Sequence, residues 1–341
     1  MLTSRQEVIL RLIVEGHVRS ASPMPSDVIA RHADPRVSPA TVRNEVAELE
    51  KQGYITRPHT SAGSVPTDMG YRQYVSRLIA AESTSAEAPF RESLRQQLLK
   101  AQQDLEEWTS AAAAVLAQMV GNLAIATFPK APESRVRHLE VVPLQDVLAL
   151  LIVVLEHAQL RRQLIRLVTP ADRAELEHSA NRVKEMVVGQ TRRQIQTAPA
   201  DLTALEEAVL NTTLVILKEE DRSIYRGHYL DGLRNLLTQP EFSGNERVRP
   251  VVEAVEDGSL AQAVLDEAPE GVFVRVVIGQ ENKGDLLWPL SVVIAQYGVP
   301  GETVGAIGAV GPTRMEYSRT IASVKAMTVV MSELAEDIHG R

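Results

Sequence analysis

Val37-Ser38-Pro39-Ala40-Thr41-Val42-Arg43-Asn44-Glu45-Val46-Ala47-Glu48-Leu49-Glu50-Lys51-Gln52-Gly53 is the stretch that decides the N-terminal fold. Ser38 can cap a helix, and Pro39 fits the first helical position because it has no N–H to lose there. Val42, Val46 and Leu49 form a buried stripe, and Gly53 stops the helix. Upstream, Val8, Ile9, Leu12 and Ile13 repeat at helical spacing with Gly16 near the stop. After the polar, Pro-containing stretch Arg19–Pro25, Val28 and Ile29 face inward on a short helix over Ser26–Ala33. Downstream, Tyr54–Arg57 and Val65–Thr67 are strand candidates around a loop at Pro58–Ser64, and Asp68–Ala80 is helical. Helix, short helix, capped helix and two-stranded wing together spell a winged helix-turn-helix, whose capped helix enters a DNA major groove.

Opposite the buried stripe, that helix carries Ala40, Asn44, Ala47 and Lys51, flanked by Arg43. Arg can read guanine and Asn adenine in bidentate fashion, and small neighbours allow close approach to base edges. The candidate DNA-contacting residues are Ser38, Ala40, Thr41, Arg43, Asn44 and Lys51 on the helix, with Arg57, His59, Thr60 and Ser61 on the wing. On pattern alone, a small helical domain with solvated polar faces fits equally well.

The chain has 341 residues, which points to two or three domains and a core that needs no staples. It has no cysteine, so thiol nucleophiles, disulfides and Cys-ligated zinc are excluded. Aromatics are only 4% of the residues, so the core rests on Leu, Val, Ile and Ala. No signal peptide is read, and the longest apolar run, Val147–Leu155, is far short of a membrane span. A cytoplasmic location is expected. The net charge of −8 excludes a uniformly basic coat but not a local basic face. Residues 1–75 hold nine Lys/Arg against eight Asp/Glu, so the acidity lies in the rest of the chain.

Ala81–Pro89 has no periodicity and is expected to be a linker, followed by a long helix over Leu94–Val120. Strands are expected at Asn122–Phe128, His138–Val142, Val147–Glu156 and Leu160–Val168, then a helix over Ala171–Val188. Gly189–Ala268 is nearly all helical in pattern. Strands return at Val272–Ile278, Leu290–Tyr297 and Val304–Val310 before a last helix, Met315–Ile338. Strands on both sides of a helical block predict an α+β domain interrupted by an insertion.

Catalytic signals are weak. Gly305, Gly308 and Gly311 lie in and just after a strand without a lysine, so they favour close backbone approach over phosphate binding. His138 and Glu140 resemble half of a deaminase zinc motif, but no cysteine completes it. Glu156-His157 has no ligand partner at useful spacing. Glu206-Glu207 and Glu219–Asp221 are solvated helix faces. No nucleophile elbow, P-loop or H-E-x-x-H occurs, so no enzyme, cofactor or metal is expected.

The strings Val37–Glu45, Leu49-Glu50, Pro58-His59-Thr60-Ser61-Ala62-Gly63, Pro66-Thr67-Asp68 and Gly70-Tyr71-Arg72 closely resemble HrcA, the heat-inducible transcription repressor family of bacterial chaperone operons. Tyr297-Gly298 before Gly301-Glu302, and Gly311-Pro312-Thr313-Arg314-Met315-Glu316-Tyr317, match the same family at the other end. That family usually has basic residues where this chain has Ser64 and Met69. The resemblance implies a winged-helix domain at 1–80, a linker and connecting helix at 81–120, and a GAF-like domain in two parts, 121–188 and 269–341. An inserted dimerisation domain at 189–268 separates them. It further implies a homodimer that binds double-stranded DNA at an inverted-repeat operator (the CIRCE element), with the GroEL chaperonin supporting activity and no membrane partner. Within the insertion, Leu202, Leu205, Val209 and Ile216 form an apolar stripe that a second copy could bury. The other function class is a metabolite-sensing winged-helix regulator with its ligand in the GAF-like domain. A structural scaffold is a third.

Overall fold

The computed structural model describes residues 2–33, 37–58, 63–81, 88–99, 105–129, 133–156, 160–167, 169–197, 201–222, 227–269, 271, 273–299 and 303–339. Contacts divide the chain into two units. The first holds 1–129, 227–300 and 305–341, and the second 130–226 with 301–304.

The first unit begins with α1 (Ser4–Ser20), α2 (Ser26–His32) and α3 (Pro39–Lys51). As the sequence predicts, Ser38 Oγ accepts from Thr41 N at 3.1 Å, and Pro39 opens the helix. Val42, Val46 and Leu49 are buried against Ile9, Ile13 and Ile29 of the other two helices. The wing pairs β1 (Ile55–Thr56) with β2 (Val65–Pro66) in antiparallel register. Its third rail was not legible in the sequence. Met24 N donates to Ser64 O at 2.8 Å and Ser64 N to Met24 O at 2.9 Å, inside a Pro-flanked stretch that reads as loop.

Next come α4 (Asp68–Ala81), α5 (Ala88–Leu99), α6 (Leu105–Val120) and β3 (Leu123–Thr127). The helix expected over Leu94–Val120 corresponds to the end of α5 and all of α6, and 100–104 between them lie outside the described residues.

The second unit is built from β4 (Val136–Gln145), β5 (Leu148–Leu155), β6 (Leu160–Arg166), α7 (Arg173–Val187), α8 (Arg192–Thr197) and α9 (Ala204–Arg222). The strands make an antiparallel sheet in the order β4-β5-β6. Inward residues Leu139, Val141, Leu151, Val153 and Ile165 pack with α7 and α9.

The chain then returns to the first unit through β7 (His228–Asp231), α10 (Leu233–Leu237), α11 (Asn245–Glu256), α12 (Ser259–Leu265), β8 (Val274–Ile278), β9 (Leu290–Tyr297), β10 (Gly305–Pro312) and α13 (Tyr317–His339). The sheet order is β7-β3-β10-β9-β8, all antiparallel. Helices α6 and α13 pack on it, and α10 packs on β3 and β10, which explains why β10 is buried along its whole length. A Cβ at Gly305 would run into the Tyr297 ring, and one at Gly311 would meet Asn122 Oδ1 at 2.7 Å. Those glycines serve close packing.

Besides Glu206 and Glu220, which are buried and paired with Arg182 and Arg161 instead of solvated, two sequence expectations need correction. The interruption runs over 130–226, not 189–268, so β4–β6 leave the five-stranded sheet and α10–α12 stay in its unit. The short β7, four residues in a helical-looking block, pairs with β3 and marks the true return point. Second, the expected dimer stripe is internal. Val209 and Ile216 are 1% and 5% exposed in the unit's own core, Leu205 packs on it, and Leu202 is half-buried. The sheet that covers α9 is β4-β5-β6, which precedes it in sequence.

Candidate nucleic-acid interface

With its apolar stripe turned inward, α3 presents the predicted polar face to solvent. Ser38, Ala40, Arg43, Asn44, Ala47 and Lys51 are exposed, and Thr41 is half-buried. Ser38 Oγ also lies 2.9 Å from Thr41 Oγ1, so both hydroxyls are engaged at the cap. Their contribution is to fix the start of the helix. Arg43 and Lys51 form no ion pair among the described residues, which leaves both cations available to an anion. Arg43 and Asn44 stand side by side in the first half of the helix, with Ala40 and Ala47 a turn away on either side of Asn44. That arrangement offers bidentate groups to base edges with room for the groove wall.

The wing contributes Arg57, which is exposed. His59, Thr60 and Ser61 lie outside the described residues. Arg57 does not stand alone, and this was missed from the sequence. Its Nε donates to Glu50 Oε2 at 2.8 Å, and Nη2 reaches the same oxygen. The Arg57 guanidinium holds the Glu50 carboxyl below its usual range, and Glu50 in turn raises Arg57. The seven-residue separation across the turn at Gly53 gave no periodic signal for this pair. Arg5 is likewise paired, to Glu45 at 3.3 Å. The cationic contribution of this surface thus falls on Arg43 and Lys51, with Arg57 half neutralised.

This pairing makes a measurable difference. Glu50→Gln should free Arg57 for phosphate, strengthen binding to any duplex, and steepen the log–log salt dependence by about 0.9. The depressed carboxyl keeps the pair formed above the ordinary carboxylate range and loses it as pH falls through its folded value. The variant and the wild type should therefore converge in acid. A salt slope unchanged by Glu50→Gln would mean that Arg57 does not face the backbone.

Three helices, an exposed capped third helix and a two-stranded wing place the N-terminal part in the winged-helix class. Comparison with known proteins then identifies the family. The sequence profile of the HrcA protein C-terminal domain matches residues 106–321. The heat-inducible transcription repressor HrcA of Dehalococcoides mccartyi (strain ATCC BAA-2266 / KCTC 15142 / 195) is 38% identical, covering 100% of this chain and 98% of the relative. Its counterpart in Roseiflexus sp. (strain RS-1) is 36% identical over 99% and 96%. A crystal structure of a hypothetical protein at 2.2 Å shares the fold, with a TM-score of 0.58 and 20% identity over 98% of both chains. This chain belongs to the HrcA family of heat-inducible transcription repressors, a family of regulators and not of enzymes. Among the described residues no helix is long and apolar enough to cross a membrane.

Proposed function

We propose that this repressor binds, as a homodimer, an inverted-repeat operator of the CIRCE kind ahead of heat-shock chaperone operons in the cytoplasm. The observation that carries the DNA reading is the exposed face of α3, where Arg43 and Asn44 stand free of ion pairs on a helix anchored by buried Val42, Val46 and Leu49. The likeness of the motifs to the HrcA family supports the operator class and the role of the GroEL chaperonin in keeping the repressor active. We read the five-stranded sheet with its flanking helices as the GAF-like body.

The dimer surface is the open face of β4-β5-β6. On β5, residues of both faces are apolar, yet only one face is covered. An antiparallel sheet with a solvated face is normally polar there. The open face has four cross-strand rows: Gln145–Leu148–Arg166, Val142–Leu150–Leu164, Glu140–Ile152–Arg162 and His138–Val154–Leu160. Leu160 and Leu164 are 51% and 55% exposed. The Glu140–Ile152–Arg162 row has acid on one edge strand and base on the other. A two-fold axis along β5 puts Glu140 of each copy opposite Arg162 of the other and closes the apolar rows on themselves. That self-complementarity fits a second copy of this chain.

The test is titration of inverted-repeat and scrambled duplexes with the full chain at about 50 and 200 mM salt, with and without chaperonin. The expected result is a preference for the repeat of roughly 10³ or more that survives the salt change. Equal affinity for both duplexes in all conditions would sink the operator reading.

A further inference from the structure

Several motif residues that carry the family resemblance do not face the α3 surface. Asp68, Tyr71 and Arg72 of the N-terminal strings, and Arg314 and Tyr317 of the C-terminal one, meet instead where the winged helix packs on the five-stranded sheet. The Tyr71 and Tyr317 rings lie 5.8 Å apart, both buried. Arg314, in the turn between β10 and α13, is only 12% exposed and joins three chain segments. Its Nη1 donates to the Val18 carbonyl at 3.0 Å, Nε to Glu241 Oε1 at 2.6 Å, and Nη2 to Gln239 Oε1 at 3.0 Å and Glu241 Oε2 at 3.2 Å. Val18 is in the last turn of α1, where carbonyls lack helical partners and a cation is favoured. A second link lies at β8. Arg72 Nε donates to Glu281 Oε1 at 2.6 Å and Nη2 to the Val276 carbonyl at 2.7 Å, while Gln280 N donates to Asp68 Oδ2 at 3.0 Å.

Apolar contact at this junction is strong but not directional, so by itself it leaves the docking angle free. Hydrogen bonds to a guanidinium fork fix an angle. Arg314 grips the end of α1 from the sheet side and Arg72 reaches from α4 to β8, so rotation about either contact is blocked by the other. We propose that Arg314 is a positioning residue for operator binding: with Arg72 as its counterpart, it fixes the winged helix on the sheet body, so that the two recognition helices of a dimer meet successive half-sites together. This rests on the operator-binding dimer proposed above. The gain from joining two half-sites depends on geometry, and a loosely hinged winged helix forfeits it without losing any contact of its own.

Two measurements on the full chain test this. In duplex titrations, Arg314→Ala and Glu241→Gln should each lose roughly tenfold or more in affinity for the complete inverted repeat. Affinity for a duplex with one half-site should be unchanged, which also shows that α3 remains folded. Arg314→Ala with wild-type affinity for the complete repeat would overturn the proposal. If the wild type itself prefers neither duplex, the operator reading fails, and the docking claim is decided by the second measurement. The chain has no cysteine, so Lys51→Cys with Arg249→Cys gives one clean pair of spin labels, diluted with unlabelled chain. The distance distribution should be narrow in the wild type and broad in Arg314→Ala. An equally narrow distribution in both overturns the positioning role whatever the DNA result.

Discussion

Leu160→Glu with Leu164→Glu should convert the protein to a folded monomer that binds the complete inverted repeat 10²–10⁴ times more weakly. Both side chains are more than half exposed on β6 and point away from the core of their unit, so charging them costs the folded chain little. In a dimer they would sit under the second copy, where four added carboxylates are desolvated while the two Arg162 cations are already matched to Glu140, which is strongly unfavourable. Sedimentation reads the mass directly. A contrasting substitution separates this surface from the stripe that sequence periodicity favours. Val209→Glu buries a charge in a site 1% exposed, in the core that also holds Ile216 and Leu217, and should unfold the second unit at a cost of several kcal/mol. A folded, dimeric Leu160→Glu/Leu164→Glu protein would place the dimer contact elsewhere.

Arg43→Ala should relax specificity. Losing a bidentate base contact costs about 1–3 kcal/mol per half-site, and a symmetric dimer loses it twice. Binding to scrambled duplex should fall much less, through one lost charge only. The ratio of the two affinities is the quantity to measure, since it cancels the phosphate attraction shared by both duplexes. If Arg43→Ala leaves that ratio unchanged, Arg43 contacts phosphate and another residue reads the base.

The winged helix was legible because its signals are local. Ser38, Pro39 and Gly53 punctuate α3, and the i, i+3/i+4 spacing of Val42, Val46 and Leu49 settles which face is free. The third rail of the wing, Met24 against Ser64, was not legible, because Pro23 and Pro25 hide a two-bond bridge that pairs residues forty positions apart. The domain boundary was missed for a related reason. Strands β3 and β4 are adjacent in sequence, and only the partner of each strand tells which sheet it joins. Pairing is non-local, so β7, with four residues, carried the decisive information and almost no pattern. The apolar stripe of α9 was real, but periodicity reports that a face is buried and not by what. The Arg57–Glu50 pair lies across a turn and belongs to the same class of feature.

In the proposed complex, two recognition helices meet two half-sites in one fixed geometry. Half-sites one helical turn apart, or a multiple of that, lie on the same side of the duplex, and about five extra base pairs turn one of them to the far side. The most direct measurement is the affinity of the wild-type chain for the inverted repeat compared with the same duplex carrying that half-turn insertion between its arms. The expected result is that the insertion reduces affinity to that of a single half-site. Undiminished affinity for the inserted duplex would contradict it.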